Sequence, residues 1–552
     1  MFKNHPRGLP VLFFTEMWER FGFYLMLGIF TLYMIDPETN GGMGFSDFKA
    51  ADIYGTYLAL VYLTPFLGGL LADRILGYRK AITIGGILMG FGYLGLSLPG
   101  QGTFFFSLLL VIIGNGFFKP NISTLVGKLY DNEKYTDYKD SGFNIFYMGI
   151  NIGAFVCNFI AAYLRNNFGW GYAFAAAGIG MFLGLIWFWS GQKHVKEADV
   201  ISPSSKDDVP MSKMIGSIFI PAIAAGAIGW LVPPLLFNSP LLGSNSTDAF
   251  VFAAIPIIIY YCYLWVSAPK EEKSPIAALL SVFGVVIIFW AVFHQNGSAL
   301  TIWAERYTDR EMPVVMESIA DPLGFQQEVN DSLREVPKID VHGVPETDAQ
   351  GNVIMEIGPD PYFNNLPKED WPPEGQNLKL VSTEIFQSVN PFFVVFLTPV
   401  VVGFWSMMRR RKKEPSTPGK IGIGMLITAL STTVMMLAVV SSDNGMIKSS
   451  ALWLIINYAV ITVGELCLSP MGLSLVSKLS PKRVAGLMMG GWFVATSLGN
   501  KLSGVLSGLW GSIDNKIFFF MINFIGALIG AILMFILLKW LKGVVKEYTG
   551  HN

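Results

Sequence analysis

Fourteen apolar runs of membrane-spanning length punctuate this chain, at about 11–35, 50–72, 81–98, 104–126, 141–164, 171–190, 212–237, 250–268, 275–297, 384–407, 420–440, 450–477, 484–508 and 516–540. Nothing else limits the fold as tightly. In hydrocarbon every backbone N–H and C=O must be satisfied, and a single run does that only as a helix. The expectation is an all-α membrane protein with 14 transmembrane helices in a lipid bilayer. Composition agrees, with 52% hydrophobic and 14% charged residues over 552 positions. A net charge of −1 gives no field that would draw a nucleic acid. Cys157, Cys262 and Cys467 lie in apolar runs without metal or redox spacing and read as packing residues. The first run lacks a small-residue cleavage site and is expected to be a retained span.

Short loops on one side hold Arg74, Arg79, Lys80, Lys193, Lys196, Arg409, Arg410, Arg411, Lys412, Lys413, Lys482 and Arg483, whereas those at 99–103 and 238–249 hold no Lys or Arg. The positive-inside rule then places both termini in the cytoplasm. The simplest grouping is two six-helix bundles, 1–190 and 275–552, joined by a linker at 191–274 with an extra two-helix hairpin. Charged stretches near 191–213 and 269–274 read as joints flanking the hairpin. Residues from about 304 to 383 are polar, acidic and rich in Pro and Gly. They form an extracytoplasmic insertion, a small cap or a disordered loop, with a solvated acidic spacer as the plainer expectation. Within it, Pro322–Val336 suits a short helix with Asp321 as N-cap. Asp348–Asn352 reads as a turn.

The first run carries charges that folding does not need. At 100° per residue Glu16, Glu19, Arg20, Phe23 and Tyr24 share an arc of roughly 140°. Arg20 lies about 16 Å into a core about 30 Å thick, and three such charges cost about 8–10 kcal/mol before pairing. Proton or substrate handling would use them all. Lys119, in the fourth run, needs a partner or deprotonation, and the first-run cluster is the expected partner. Glu465 has no basic residue in its own run, which makes it a candidate proton carrier or anchor for a ligand amine. His294 titrates near physiological pH when unperturbed. Lys501, late in the thirteenth run, reads as snorkelling to the outer surface. Tyr62, Tyr147, Asn151, Trp290, Asn390 and Trp492 add hydrogen-bonding and aromatic groups within runs. Together with separated acidic and basic centres they outline a cavity for a small zwitterion. No nucleophile–base pair or metal-ligand set points to an enzyme.

With these motifs in view, the sequence resembles the proton-coupled oligopeptide transporter family of the major facilitator superfamily. The likeness rests on Glu16-x-x-Glu19-Arg20-Phe21, on Tyr62 with Gly68-Gly69-x-x-Ala72-Asp73-Arg74, and on Gly114–Asn121 and Phe146–Asn151. In the second half it rests on Asn390-Pro391, Gly464–Pro470 and Trp492. The resemblance implies a symporter in a bacterial cytoplasmic (inner) membrane, importing di- and tripeptides with protons by alternating access, as a monomer and without a cofactor. A carrier of nitrate or a peptide-like drug on the same scaffold is the alternative. By motif, Arg20 and Lys119 would face the peptide carboxylate, while Glu465, Asn390 and Asn151 would hold its amine. Tyr24, Tyr62, Tyr147, Trp290, Ser469 and Trp492 would complete the substrate site. Glu16, Glu19, Arg20, Glu465 and His294 would handle protons. Three positions depart from the pattern. Leu27 stands where many members have a second arginine, and Phe23 replaces the first tyrosine of a pair. His294 stands where a carboxylate precedes Gln295.

Overall fold

The computed structural model describes residues 2–131, 133–200, 215–348, 351–481 and 484–549. Every one of the fourteen apolar runs forms a helix. The first six are α1 (Gly8–Ile35), α2 (Asp47–Leu71), α3 (Tyr78–Leu96), α4 (Gln101–Leu129), α5 (Lys139–Phe168) and α6 (Trp170–Gly191). A hairpin follows, α7 (Ile220–Phe237) and α8 (Asn245–Val266), then α9 (Lys270–Phe293). The last five are α10 (Val389–Arg410), α11 (Thr417–Ser441), α12 (Ala451–Leu479), α13 (Ala485–Gly508) and α14 (Lys516–Thr549). Helix starts obey local chemistry: Ser46, Ser244, Ser416 and Ser450 each accept a backbone N–H of the turn they precede. Gly169, at φ +97°, takes the conformation that lets α6 begin immediately after α5.

Two cores result. One collects buried side chains of α1–α6, from Leu9 to Ala198. The other runs from Ile218 to Val545 and includes Ala222, Ile257 and Tyr261 of the hairpin. The Tyr261 hydroxyl fastens α8 to α13 by donating to the Leu487 carbonyl at 2.7 Å. The charged residues at 270–274 are not a joint but the opening turn of α9, where Glu271 and Glu272 favour the helix N-terminus. Residues 201–214 of the other expected joint, and the loop pair Lys482 and Arg483, lie outside the described residues. Cys157 and Cys467 are buried as expected, whereas Cys262 is exposed on α8.

The insertion between α9 and α10 is folded, not a solvated spacer. After a tight turn at His294–Gly297 and a short helix at Ala299–Arg306, it forms a cap with three two-stranded sheets. Thr308–Asp309 (β1) runs parallel to Ser449–Ser450 (β6), at the start of α12. Gln326–Val329 (β2) is antiparallel to Leu378–Val381 (β5), and Arg334–Pro337 (β3) to Met355–Gly358 (β4). The α-helix Val314–Leu323 lies earlier than the expected Pro322–Val336. Gly324 ends it in the left-handed conformation at φ +63°, and Gln326 already pairs in β2. Of the expected turn, Ala349 and Gln350 lie outside the described residues; Asp348 accepts the N–H of Asn352 at 2.8 Å. Val329, Tyr362, Phe363 and Leu380 give the cap a small core. Arg310 is buried beside it, bonded to Gln327 Oε1 at 2.9 Å and the Val381 carbonyl at 3.0 Å. A cavity of about 510 Å³ lies between the cap and the helix ends, with Asp36, Arg165, Glu305 and Arg306 in its wall.

At the cap end the two bundles are joined. Arg165 of α5 pairs with Glu384 at 2.8 Å, and Arg306 holds Asp47 of α2 through two bonds of 2.6 and 2.8 Å. Asn158 donates to Ser388, and Thr31 to the Gly297 carbonyl. Along α2 and α13, a Cβ added at Gly55 would stand 2.6 Å from the Gly504 Cα, so the backbones meet without side chains between them. Lys501 does not snorkel. Its side chain is 3% exposed and pairs with Asp52 of α2 at 2.6 Å, which is cheaper than carrying an unpaired charge through that interface.

Candidate functional site

α1 places its charges where the two bundles face each other. Glu16, Glu19 and Arg20 are all buried. Arg20 Nη2 donates to Glu19 Oε1 at 2.6 Å and its Nε to Glu19 Oε2, with Glu16 Oε1 at 3.4 Å. Phe23 and Tyr24, one turn on, set their rings 4.8 and 5.9 Å from the guanidinium carbon. The guanidinium is thus neutralised by its own helix. Glu16 Oε2 is buried without a hydrogen-bond partner.

Lys119 makes no ion-pair contact with that cluster, although Glu16 and Glu19 act on it electrostatically. Pro120 and Asn121 let α4 pass close to α2 here: the Asn121 amide donates to the carbonyls of Phe117 and Gly68. The Lys119 ammonium lies 4.4 Å from the centre of the Tyr62 ring on α2. Among the described residues no carboxylate comes within ion-pair distance of it.

Glu465 stands on α12 of the second bundle. Its Oε2 accepts from Asn390 of α10 at 3.3 Å, and the same amide donates to Thr462, one turn before Glu465, at 2.8 Å. Ser469 lies one turn further on, half-buried. No cation within the described residues pairs with Glu465. Asn151 is buried on α5 with its amide turned back to the Tyr147 carbonyl, at 2.9 Å, and Tyr147 itself is exposed.

His294, Trp290 and Trp492 take other surroundings. The His294 imidazole stacks on Trp290 with ring centres 4.8 Å apart and touches Tyr62, at 5.8 Å. Its Nδ1 is buried without a partner. Trp290 is itself buried, also packed against Phe289 and Phe293. Trp492 is 3% exposed, in the core of the C-terminal helices, set edge-on to Phe283 and against Gly472. Both tryptophans thus serve packing more than a cavity wall. Asp52 and Thr462 escaped the sequence reading. For Asp52 the available signal was a lone carboxylate inside the second apolar run, matched by a lone lysine inside the thirteenth.

With the geometry in place, likeness to known proteins can be weighed. A family model described as POT family matches residues 79–317 and 377–523. The chain belongs to the POT family. The gap between the two matched stretches falls within the cap. Among POT relatives, the uncharacterized transporter YclF of Bacillus subtilis (strain 168) is 32% identical over 99% of this chain and 96% of its own. A di-/tripeptide transporter of Lactococcus lactis subsp. lactis (strain IL1403) is 30% identical over 97% of this chain and 96% of its own. A solved POT family transporter in complex with 5-aminolevulinic acid superposes with a TM-score of 0.76 at 27% identity, over 99% of this chain and 98% of the other. The architecture is therefore the major facilitator arrangement of this family, and the protein is a transporter, not an enzyme.

Proposed function

We propose that this transporter imports di- and tripeptides together with protons, by alternating access between its two bundles. The observation that carries the reading is a pair of opposite charges on different bundles, Lys119 and Glu465, neither of them bound to an ion-pair partner among the described residues. Arg20, held by Glu19, leaves Lys119 as the cation for a peptide carboxylate in this state. Glu465, steadied by Asn390, is suited to receive the amine. Nitrate would have no use for Glu465, so the alternative solute is disfavoured.

The basic residues Arg74, Arg79, Lys80, Lys193 and Lys196 and the run Arg409–Lys413 cluster at the end away from the cap. That distribution supports a cytoplasmic placement for that end and for both termini, with the cap outside. The joined cap end then corresponds to a closed outer gate, and Lys119, Tyr62, Asn390 and Glu465 each keep partial exposure. Proton handling rests on Glu16, Glu19 and Glu465, with Arg20 as the charge that Glu16 and Glu19 share. His294, enclosed by aromatic rings and without a carboxylate beside it, acts as a packing residue.

The test is uptake of labelled dialanine into proteoliposomes with and without an inward proton gradient. Accumulation should require the gradient and be competed by di- and tripeptides. Equal competition by free alanine, or accumulation without a gradient, would refute it.

A further inference from the structure

The first bundle gives the cavity beneath the cap three of its wall residues: Asp36 directly after α1, Arg165 in the last turn of α5, and Trp170 at the start of α6. The Trp170 indole holds both charges. Its Nε1 donates to Asp36 Oδ2 at 2.8 Å, and its ring carries the Arg165 guanidinium 4.3 Å from the ring centre. Asn40 donates to the other Asp36 oxygen at 3.2 Å. Neutral donors therefore fix the Asp36 carboxylate and leave about half of its acceptor capacity open. The guanidiniums in the wall are already matched: Arg165 pairs with Glu384, Arg306 with Asp47 and Arg334 with Asp360. Glu305, also in the wall, has Arg310 at 3.4 Å. Asp36 and Asp340 have no ion-pair partner among the described residues; Asp340 accepts the N–H groups of His342 and Val344. Burial raises the Asp36 carboxyl, and the charge of Arg165 offsets only part of that. The wall thus carries a surplus of negative charge. The cap adds to its field, with sixteen acidic and six basic residues between positions 304 and 383.

We propose that this cavity is an outer docking site for a primary ammonium, anchored by Asp36, and that its ligand is the amine of an incoming peptide. The ammonium chemistry rests on the wall itself; the peptide as its bearer rests on the transport reading above. A metal ion is poorly served here, since no group of three candidate metal ligands gathers among the described residues. An ammonium needs less: one ionised carboxylate with open acceptor sites, in a pocket where no cation is left over to repel it. Arg165 and Arg306, which tie the two bundles together, stand in the same wall. A peptide held here by its amine therefore waits at the closed gate, apart from the central site of Lys119 and Glu465. The cap in this way raises the local concentration of amine-bearing solutes where the gate will open.

Trp170 touches the anchor and reports on it. Fluorine NMR of the purified full chain, labelled with 5-fluorotryptophan, reads its resonance, which is identified by its loss in Trp170→Phe. The probe is alaninamide at about pH 6.5, where an α-amine is mostly charged; N-acetylalaninamide is the neutral control. Alaninamide should shift the Trp170 resonance to saturation, and the control should not. In Asp36→Asn, which keeps an acceptor for the indole N–H, the midpoint should rise about tenfold or more. Asn40→Asp, a change at an exposed position beside the anchor, should lower it about three- to tenfold. Glu465→Gln should leave the midpoint where it is, because the central site takes no part. The proposal is overturned by a resonance that does not saturate with alaninamide or that follows the control equally. It is overturned too by an unchanged midpoint in Asp36→Asn, by one that does not fall in Asn40→Asp, or by loss of the response in Glu465→Gln. Nothing has to be transported in this measurement, so failure of dialanine uptake would leave its result standing.

Discussion

Glu465→Gln is the substitution that tests the site most directly. Among the described residues the carboxylate receives a single hydrogen bond, from Asn390 at 3.3 Å, a long contact that leaves most of its acceptor capacity for a ligand. Glutamine keeps the size and one acceptor oxygen, so Asn390 and Thr462 need not move. What is lost is the charge in an ammonium–carboxylate bond, worth about 1.5–3 kcal/mol against a neutral partner. That corresponds to about 10- to 150-fold in affinity for peptides with a free amine. N-acetylated dialanine, which has no ammonium, should lose at most about twofold on the same arithmetic. Calorimetry or scintillation-proximity binding on purified protein compares the two ligands in wild type and variant. If both lose affinity alike, Glu465 is not the amine anchor and the two-charge argument for a zwitterion falls with it.

Lys119→Gln should mirror this result, weakening dialanine by about 10- to 150-fold while sparing its C-terminal amide, read in the same binding assay. His294→Gln should leave the pH profile of dialanine counterflow superimposable on wild type, and a shifted midpoint would return His294 to proton coupling. Lys448, in the loop before α12, donates to the Arg306 carbonyl at 2.9 Å and lies over the Tyr362 ring. Burial, with Arg310 adding repulsion, pushes its amine down to about 7. Between that value and the ordinary lysine value of about 10.4 the folded cap binds fewer protons than the unfolded chain, so cap stability rises with pH across that window. Protease cleavage within the cap should therefore slow between pH 7 and 9 in wild type, and the slowing should shrink in Lys448→Met.

What could be read from the sequence follows from what each signal reports. Hydropathy reports lipid contact, and it located all fourteen helices because each must satisfy its backbone alone. The first-helix charges were legible because their cost in a bilayer is unmistakable, whoever their partner is. Partners were not legible. Lys501 and Asp52 are 449 positions apart, and either residue alone looks like a charge near a helix end. Charge alone pointed Lys119 to the α1 carboxylates, which do act on it, but not that Arg20 on the same helix takes the direct contact with Glu19. The cap, though among the alternatives, was ranked below a spacer for a related reason. Its strands have two to four residues, too short for alternation to show, and their register is set by pairings such as Gln326 with Val381. Helix Val314–Leu323 was misplaced because Pro322 reads equally well as a first-turn residue and as one closing a last turn before Gly324.

The pairing of β2 with β5 carries a practical consequence. The chain leaves the membrane part through one strand and comes back through its immediate neighbour, so whatever hangs between positions 330 and 377 spans almost no distance from the helices' point of view. Such a segment can be exchanged, lengthened or fused to a foreign domain at little entropic expense, since the ends to be closed already lie side by side. The family model's match breaks off at 317 and resumes at 377, so this stretch lies outside what the family model matches. For the experimenter it is a ready socket, a place to graft a fluorescent reporter or an affinity handle on the face opposite both chain ends.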